Sequence, residues 1–298
     1  MNKTYIIGEI GVNANGDIKI AKRLIDVAVA CGCDAVKFQK RNPDLAVPEA
    51  QKNIMRDTPW GKMTYLDYKK RIEFDAKQYD ELSQYCAGRI DWSVSVWDLD
   101  SLEFIKNFKV PFIKVPSAKM GDEALLQATA EYCSEQGIKL IVSTGMMEFE
   151  EIENSVYCIH EGIKNPQNGF EFVIMYCKSS YPAPVEDLNL SCISTLREQF
   201  EGTSYPDMGS SFQTKIGYSG HEFKLITTCA AVYLGAQYIE RHITLDRSMW
   251  GTDQLASVEP DGLHQLVTGI RSLETAIGDG KITITELEKP IRAKLRGN

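Results

Sequence analysis

Two histidines, His221 and His242, lie in closely matched settings and are the residues of this chain best suited to chemistry. Each follows a short apolar run that predicts a β-strand, and the alanine- and leucine-rich stretch 223–235 between them predicts a helix. A strand, a helix and a second parallel strand would bring both imidazoles to one edge of a sheet. Imidazole is the commonest protein ligand of divalent transition metals, although a single such histidine is more often a hydrogen-bonded core residue. The matched placement favours a metal site, which Glu9, Asp253, water or substrate would complete.

A second set of polar residues falls at the carboxyl ends of the other apolar runs. They are Glu9, Lys37, Gln39, Ser95, Lys114, Ser117, Ser143, Thr144, Lys178, Ser179, Tyr181 and Ser219. A lysine inside an apolar run, such as Lys37 or Lys114, is costly to bury unless a partner takes its charge. One explanation is that each ammonium group snorkels to solvent. The other, which we favour, is that both lysines and several hydroxyl groups converge on a bound phosphate or carboxylate.

These residues need a scaffold, and the chain alternates β-rich runs with helical patterns throughout. The eight predicted strands span residues 5–8, 35–38, 92–95, 112–115, 140–143, 172–177, 215–218 and 237–240. The predicted helices span residues 18–30, 76–86, 98–107, 122–135, 149–160, 223–235 and 261–277. Near-continuous apolar strands that alternate with helices indicate a parallel sheet covered by helices. Eight such units predict a single-domain α/β protein, a closed (β/α)₈ TIM barrel over residues 1–278, rather than an open doubly wound sheet.

Three segments do not belong to this repeat. Residues 40–72 form a long charged connection after the second strand, which is either a lid over the carboxyl-terminal mouth of the barrel or a surface insertion. Residues 201–213 predict a flexible loop on the opposite, amino-terminal side of a strand. Residues 279–298 predict an outer helix or tail.

Composition restricts the possible partners of the chain. Its 298 residues carry a net charge of -8, which argues against a nucleic-acid or anionic membrane surface as partner.

The eight cysteines lack a paired-ligand spacing, and Cys31-Gly32-Cys33 predicts the end of a helix rather than a redox motif. We find no signal peptide, no apolar run of the roughly 18 to 20 residues that span a bilayer, and no dinucleotide fingerprint in residues 8–16. A reduced, cytoplasmic setting is therefore expected.

The strand-end motifs together resemble one known family. They are Ile7-Gly-Glu9-Ile-Gly-Val-Asn13, Asp34-Ala-Val-Lys37-Phe-Gln39, Ile113-Lys114-Val-Pro-Ser117, Ser143-Thr-Gly-Met146, Tyr181-Pro-Ala-Pro184, Gly217-Tyr-Ser219-Gly-His221, Glu240-Arg-His242-Ile-Thr-Leu-Asp246 and Ala256-Ser257-Val-Glu259-Pro260. This series, which runs in order over roughly residues 5 to 278, resembles the sialic acid (N-acetylneuraminate) synthase family. The resemblance implies a metal-dependent enzyme that condenses phosphoenolpyruvate with an amino-sugar aldose.

The resemblance also implies roles for individual residues. The residues that match the family's phosphoenolpyruvate site are Lys37, Gln39, Ser95, Lys114, Ser117, Ser143, Ser179, Tyr181 and Ser219. His221 and His242 match the ligands of a divalent metal, most commonly Mn²⁺, with Mg²⁺ or Co²⁺ as alternatives. Glu9 matches a catalytic carboxylate, and Asp253 matches a residue that handles the acceptor sugar. In the family the enol carbon of phosphoenolpyruvate attacks the aldehyde, water adds to the resulting cationic carbon, and phosphate leaves.

Several departures from the family pattern concern the acceptor end of the site. The segment Asn13-Ala14-Asn15-Gly16 lacks the family's usual histidine, and Lys119 stands where the family has a carboxylate. Ser179 replaces a usual asparagine, and Gln254 follows Asp253 where the family has histidine. We expect Asn15 and Lys119 to contact the acceptor. The changes represent either family drift or an acceptor other than N-acetylmannosamine, such as a differently substituted or anionic sugar.

The family usually carries a C-terminal antifreeze-like domain that helps to close the partner's site in a dimer, and this sequence does not extend into one. The resemblance therefore predicts a homodimer whose site is open, capped by residues 40–72 or capped by a separate protein. Two further functions are compatible with the residues: a Schiff-base aldolase that uses Lys37 or Lys114, and a non-catalytic or partner-dependent barrel that binds a sugar or phosphoenolpyruvate.

Overall fold

A computed structural model describes residues 3–202 and 213–297 of the chain. The strands of the described residues, numbered in chain order, are β1 (Tyr5–Gly11), β2 (Ala35–Lys40), β3 (Met55–Thr58), β4 (Gly61–Thr64), β5 (Asp91–Val96), β6 (Phe112–Val115), β7 (Lys139–Ser143), β8 (Glu171–Cys177), β9 (Gln213–Gly220) and β10 (Tyr238–His242). Eight of them form a closed parallel barrel in the order β1-β10-β9-β8-β7-β6-β5-β2, and β3 pairs with β4 in a separate hairpin. The (β/α)₈ prediction is confirmed.

Helices cover the outside of the barrel. The helices of the described residues are α1 (Ile18–Cys31), α2 (Pro43–Ala46), α3 (Glu49–Lys52), α4 (Tyr65–Ile72), α5 (Ala76–Cys86), α6 (Leu99–Ile105), α7 (Glu123–Gln136), α8 (Phe149–Gly162), α9 (Cys192–Phe200), α10 (Leu225–Tyr233), α11 (Pro260–Ala276) and α12 (Glu288–Arg296). Of these, α1 shows how the sequence sets the ends. The side chain of Asp17 caps the first turn, and Gly32, with φ of 83°, closes the last turn through its N–H bond to Ala28.

Strand β6 shows how one strand serves both sides of the barrel wall. Successive side chains of a strand point to opposite faces. Ile113 and Val115 accordingly lie in the large core between barrel and helices. Phe112 lies instead in a small interior core with residues such as Met175 and Tyr238, near the amino-terminal ends of several strands. Lys114 follows Phe112 on the same interior face and lines a cavity near the carboxyl ends. The barrel interior is therefore apolar toward the amino-terminal ends of the strands and polar toward their carboxyl ends.

The structure differs from the predicted elements in three places. Residues 40–72, predicted as a long charged connection with no assigned elements, hold α2, α3, the β3–β4 hairpin and α4. Helix α9 was not predicted, although its buried residues Ile193, Leu196 and Phe200 recur at spacings of three and four. Helix α12 lies within the segment predicted as an outer helix or tail, and it contains no buried residue. The predicted loop 201–213 lies mostly outside the described residues.

Among the described residues, no helix is both long enough and apolar enough to cross a bilayer.

Candidate active site

A cavity of about 180 Å³ lies at the carboxyl ends of the barrel strands. The sequence-predicted residues that line it are Glu9, Lys37, Gln39, Ser95, Lys114, Ser117, Ser143, Ser179, Tyr181, Ser219, His221 and His242. We call this the inner cavity. Residues from all eight barrel strands, or from the loops that follow them, therefore meet in one place.

The register of the strands brings these side chains together. Glu9 in β1 lies beside His242 in β10 on one side and beside Lys37 in β2 on the other. In the same way, Ser95 in β5 pairs in register with Lys114 in β6. Because equivalent positions of neighbouring parallel strands share a face, the barrel forms a ring of polar groups at one level.

Both lysines of the inner cavity are buried and paired. Lys37 Nζ lies 2.5 Å from Glu9 Oε2 and donates to Ser95 Oγ over 2.6 Å. Lys114 Nζ lies 2.7 Å from Glu240 Oε1, and that same oxygen is 3.7 Å from Lys37 Nζ. Lys37 and Lys114 are only 1% and 4% exposed, so neither ammonium group snorkels to solvent. The two ion pairs offset the cost of burying four charges.

The two carboxylates of this network have pKa values shifted in opposite directions. Burial raises the pKa of Glu9, and this effect outweighs the attraction of Lys37. Burial also acts on Glu240, but the positive charges of Lys114 and Lys37 prevail and lower its pKa to about 2. Paired carboxylates with divergent pKa values are typical of sites that separate proton transfer from charge stabilisation. Glu9 is thus suited to proton transfer, and Glu240 is suited to hold the lysines.

Sequence reasoning assigned no role to Glu240, although a usable signal was present. Glu240 precedes His242 by two positions in β10, and residues two apart on a strand share a face. The argument that places His242 in the barrel mouth therefore also places Glu240 there. The structure adds the two partner lysines, which come from distant strands.

A group of serine hydroxyls also lines the inner cavity. Ser117 Oγ and Ser179 Oγ are 3.0 Å apart. Ser143 Oγ is buried and has no hydrogen-bond partner among the described residues. Since a buried polar group without a partner is costly, the Ser143 hydroxyl is available to a ligand.

The two histidines lie close together beneath Tyr181. Their ring centroids are 5.5 Å apart, and the Tyr181 ring lies 4.1 Å from His221 and 5.7 Å from His242. His221 Nδ1 is 2.6 Å from the carbonyl oxygen of Lys178, so Nδ1 carries the proton and donates it. Burial and the neighbouring His242 lower the pKa of His221 to about 3, which keeps its ring neutral at neutral pH.

This arrangement fits a divalent metal bound by two imidazoles. The bond from His221 Nδ1 to a carbonyl leaves Nε2 as the unprotonated nitrogen, as is usual for metal-binding histidines. His242 Nδ1 is buried without a hydrogen-bond partner among the described residues, and Asp253 Oδ2 lies 3.7 Å from it. Within the described part of the chain, no three histidine, cysteine, aspartate or glutamate side chains are grouped closely enough to hold a metal. Water or substrate would therefore supply the other ligands.

A second, larger cavity of about 470 Å³ adjoins the inner one. Both cavities are lined by Gln39, Trp97, Ala118 and Tyr181. The predicted acceptor residues Lys119 and Asp253 line this outer cavity, together with residues of the 40–72 segment that sequence reasoning did not single out, namely Arg41, Ala46, Val47, Pro48, Tyr65 and Lys69. The segment therefore covers part of the barrel mouth.

Asn15, the other predicted acceptor residue, lies elsewhere. It lines neither the inner nor the outer cavity but a third hollow beside Trp60 and Arg71. Its amide nitrogen donates to the carbonyl oxygen of Trp250 over 2.7 Å. In this structure Asn15 holds the loop after β10, and a contact with the acceptor stays a prediction.

Comparison with known proteins gives concordant matches. The NeuB family model matches residues 24–282. The chain is 36% identical to the N-acetylneuraminate-9-phosphate synthase of Drosophila melanogaster over 277 residues, which are 92% of this chain and 69% of that protein. It is 33% identical to the N,N'-diacetyllegionaminic acid synthase of Legionella pneumophila, over 98% of this chain and 78% of that protein. The crystal structure of the N-acetylneuraminic acid (sialic acid) synthetase of Leptospira borgpetersenii in complex with citrate superposes with a TM-score of 0.79 at 29% identity, covering 100% of this chain and 94% of that one.

Proposed function

The chain belongs to the NeuB family, and from that membership we propose that it condenses phosphoenolpyruvate with an aldose. The acceptor would be N-acetylmannosamine or a related amino sugar, and the products a 2-keto-3-deoxy sugar acid of the nonulosonate type and inorganic phosphate. The observation that carries this proposal is the inner cavity. There, two buried lysine–carboxylate pairs, an unpartnered serine hydroxyl and two adjacent imidazoles line a space of about 180 Å³.

Phosphoenolpyruvate would bind among the lysines and hydroxyls. The ammonium groups of Lys37 and Lys114 attract its phosphate and carboxylate, and Ser143 has a free donor for one of their oxygens. Glu9 and Glu240 keep the empty site close to electrical neutrality, because each holds one lysine. The binding roles of Gln39, Ser95, Ser117, Ser179, Tyr181 and Ser219 rest on the family resemblance and on their place in the cavity wall.

The proposed reaction forms one carbon–carbon bond and breaks one carbon–oxygen bond. The enol carbon C3 of phosphoenolpyruvate attacks the aldehyde carbon, and the aldehyde oxygen takes up a proton. Water then adds to the cationic C2 and loses a proton, which Glu9 would accept, since burial raises the pKa of its carboxyl group. The tetrahedral adduct collapses to the ketone, and the C2–O bond breaks as phosphate leaves.

A divalent metal would be held by His221 and His242, and we expect Mn²⁺, with Mg²⁺ or Co²⁺ as alternatives. When bound, such an ion polarises a carbonyl oxygen as a Lewis acid. The protein contributes the neutral state of His221 and its orientation through the Lys178 carbonyl. Asp253, which faces His242, would orient the acceptor at the boundary with the outer cavity.

We expect a cytoplasmic homodimer built from one barrel domain, residues 1–278, and a C-terminal tail, residues 279–298. The site would be covered by residues 40–72, and a separate capping protein is the alternative cover. Neither nucleic acid nor a membrane is expected as a partner of this acidic chain.

The test of this function is phosphate release in mixtures of phosphoenolpyruvate, an aldose and Mn²⁺, with the product identified by mass spectrometry. We expect release to need all three components. In His221→Ala, calorimetry should show loss of Mn²⁺ binding, and phosphate release should fall at least 100-fold, roughly the loss of one directed catalytic contact. His264→Ala, which alters an exposed histidine of α11, is the matched control. A pyruvyl adduct trapped by borohydride would instead indicate a Schiff-base aldolase.

A further inference from the structure

An ion pair between Glu222 and Arg241 is buried directly beside the two histidines of the inner cavity. Glu222 follows His221 just after β9, and Arg241 precedes His242 in β10. Because successive side chains of a strand point to opposite faces, Arg241 points away from the cavity that His242 lines. Glu222 and Arg241 are 0% and 1% exposed, and neither lines the inner or the outer cavity. The pair therefore lies behind the site and does not contact a ligand in it.

The guanidinium group of Arg241 joins the two segments that carry the histidines. Its Nη1 lies 3.3 Å from Glu222 Oε1 and donates to Thr228 Oγ1 of α10 over 2.7 Å. Its Nη2 donates to the main-chain carbonyl oxygen of Glu222. The main chain just after His221 is thus tied to the strand residue just before His242.

The carboxylate of Glu222 is itself held in place. Tyr218 Oη donates to Glu222 Oε2 over 2.9 Å, and Thr227 Oγ1 donates to Glu222 Oε1 over 2.6 Å. The carboxylate folds back over Gly220, where a Cβ atom would come within 2.8 Å of Glu222 Oε2 and within 3.1 Å of Arg241 Cδ. Gly220 therefore leaves the space that the carboxylate and the guanidinium stem fill.

Stability alone does not account for this pair. A buried ion pair gains little over apolar side chains of similar volume, because both charges lose their hydration. The position of the pair offers another reason, since a metal site needs its ligands placed to within about 0.5 Å. His242 Nδ1 has no hydrogen-bond partner among the described residues, so the main chain of β10 must place that ring.

We propose that Glu222 and Arg241 are positioning residues, which hold the main chain at His221 and His242 at the separation that a divalent metal requires. The pair would thereby set the affinity of the site for the metal. The proposal rests on the proposed function, because that function supplies the metal. Groups that orient metal ligands from behind typically change metal affinity by roughly 10- to 100-fold.

The test measures Mn²⁺ binding to the substrate-free protein by calorimetry. The double variant Glu222→Gln/Arg241→Met removes both charges together, so that no unpaired charge stays buried. We expect its dissociation constant for Mn²⁺ to rise roughly 10- to 100-fold. Phosphate release should return toward the wild-type rate at saturating Mn²⁺, with an unchanged KM for phosphoenolpyruvate, because neither residue touches a substrate.

The matched control is the double variant Glu171→Gln/Lys215→Met. It removes a 2.7 Å ion pair between the neighbouring strands β8 and β9, at their amino-terminal ends. This control should bind Mn²⁺ as the wild type does. An equal loss of Mn²⁺ affinity in both double variants would mean a general loosening of the barrel and would overturn the proposal.

Arg241→Lys provides a second variant, which keeps the two charges paired. A lysine lacks the forked donors that reach both the carboxylate and the carbonyl oxygen of Glu222. We expect its Mn²⁺ affinity to lie between those of the wild type and the Glu222→Gln/Arg241→Met variant. Unchanged Mn²⁺ affinity in that double variant contradicts the proposal, as does unchanged affinity in Arg241→Lys where the double variant does not fold.

The binding measurement also separates this proposal from the proposed reaction. If the wild type binds no Mn²⁺, the positioning role is wrong even where phosphate is released. If Mn²⁺ binding depends on the pair but no aldose supports phosphate release, the positioning role stands and the proposed reaction is wrong.

Discussion

At the scale of single residues, we propose that two buried glutamates of the inner cavity have different tasks. Glu9 and Glu240 are both buried and each holds a lysine, yet their pKa values move apart. The difference follows from their neighbours, because Glu240 contacts both lysines while Glu9 contacts only Lys37. We therefore assign proton transfer to Glu9 and charge balance to Glu240.

Replacement of Glu9 tests this assignment. In Glu9→Gln the side chain keeps its size, but it loses its charge and one of its two acceptor oxygens, and it can no longer take a proton. We expect kcat for phosphate release to fall roughly 100- to 10 000-fold, with KM for phosphoenolpyruvate changed far less. Glu81→Gln, at a half-exposed site on α5, is the matched control. If Glu9→Gln changes only KM, Glu9 acts through the position of Lys37 and not as a base.

At the scale of elements, the 40–72 segment is held over the barrel mouth by an aromatic cluster. The ring of Trp250, in the loop after β10, lies 5.9 Å from Trp60 near the hairpin and 5.0 Å from Tyr68 on α4. Tyr68 and Ile72 of α4 are buried against Val12 at the end of β1. The contacts of α4 thus position Lys69, which is next to Tyr68, inside the outer cavity.

Loss of the Trp250 ring should loosen this segment. Aromatic pairs contribute roughly 0.5–1.5 kcal/mol each beyond simple burial. In Trp250→Ala we therefore expect about tenfold faster proteolysis within residues 53–64 and about a tenfold lower kcat/KM for the acceptor. KM for phosphoenolpyruvate should stay nearly constant. Tyr157→Ala, which removes a 66% exposed aromatic ring from α8, is the control. Faster proteolysis with unchanged acceptor kinetics would mean that the segment is a surface insertion without a role in binding.

At the scale of the whole molecule, an acidic chain concentrates positive charge in its barrel mouth. The net charge is -8, yet the outer cavity is lined by three cations, Arg41, Lys69 and Lys119, and by one carboxylate among the described residues, Asp253. The two lysines of the inner cavity are balanced by Glu9 and Glu240. Such a local field attracts small anions while the outer surface repels polyanions. Outside the two cavities, His160 of α8 is a buried histidine of the surrounding structure. His160 is 3% exposed and lies edge-on to Phe172, with ring centroids 5.9 Å apart.

His160 should make the stability of the whole fold depend on pH. Burial lowers its pKa from 6.5 to about 4. Between about pH 6.5 and pH 4, His160 is therefore protonated in the unfolded chain but neutral in the folded chain. The contribution of His160 to the free energy of unfolding is fully present above pH 6.5 and is lost as the pH falls toward 4. Denaturant titrations give the free energy of unfolding at pH 7 and at pH 4.5. We expect this free energy to fall between the two pH values in the wild type, and to fall by on the order of 2 kcal/mol less in His160→Leu. The control His264→Leu, at an exposed site on α11, should lose as much as the wild type. An unchanged loss in His160→Leu would contradict this account.

Local patterns in the sequence determined much of this molecule. Apolar runs and helical periodicity predicted all eight barrel strands, and β6 and α5 were predicted with their observed bounds. The positions of His221, His242, Lys37 and Lys114 at strand ends were sufficient to expect them around one mouth. These features follow from neighbours within a few residues, because a strand or an amphipathic helix is specified by its own alternation.

Only the tertiary structure decided the contacts between distant segments. It paired Glu240 with Lys114, turned the amide of Asn15 toward Trp250, and placed Lys69 in a cavity with Lys119. It also set the path of residues 40–72, which depends on packing against Trp250 nearly two hundred positions later in the chain. No local alternation encodes these contacts, because they exist only once the barrel has closed and brought the carboxyl ends of its strands, and the loops after them, to one face.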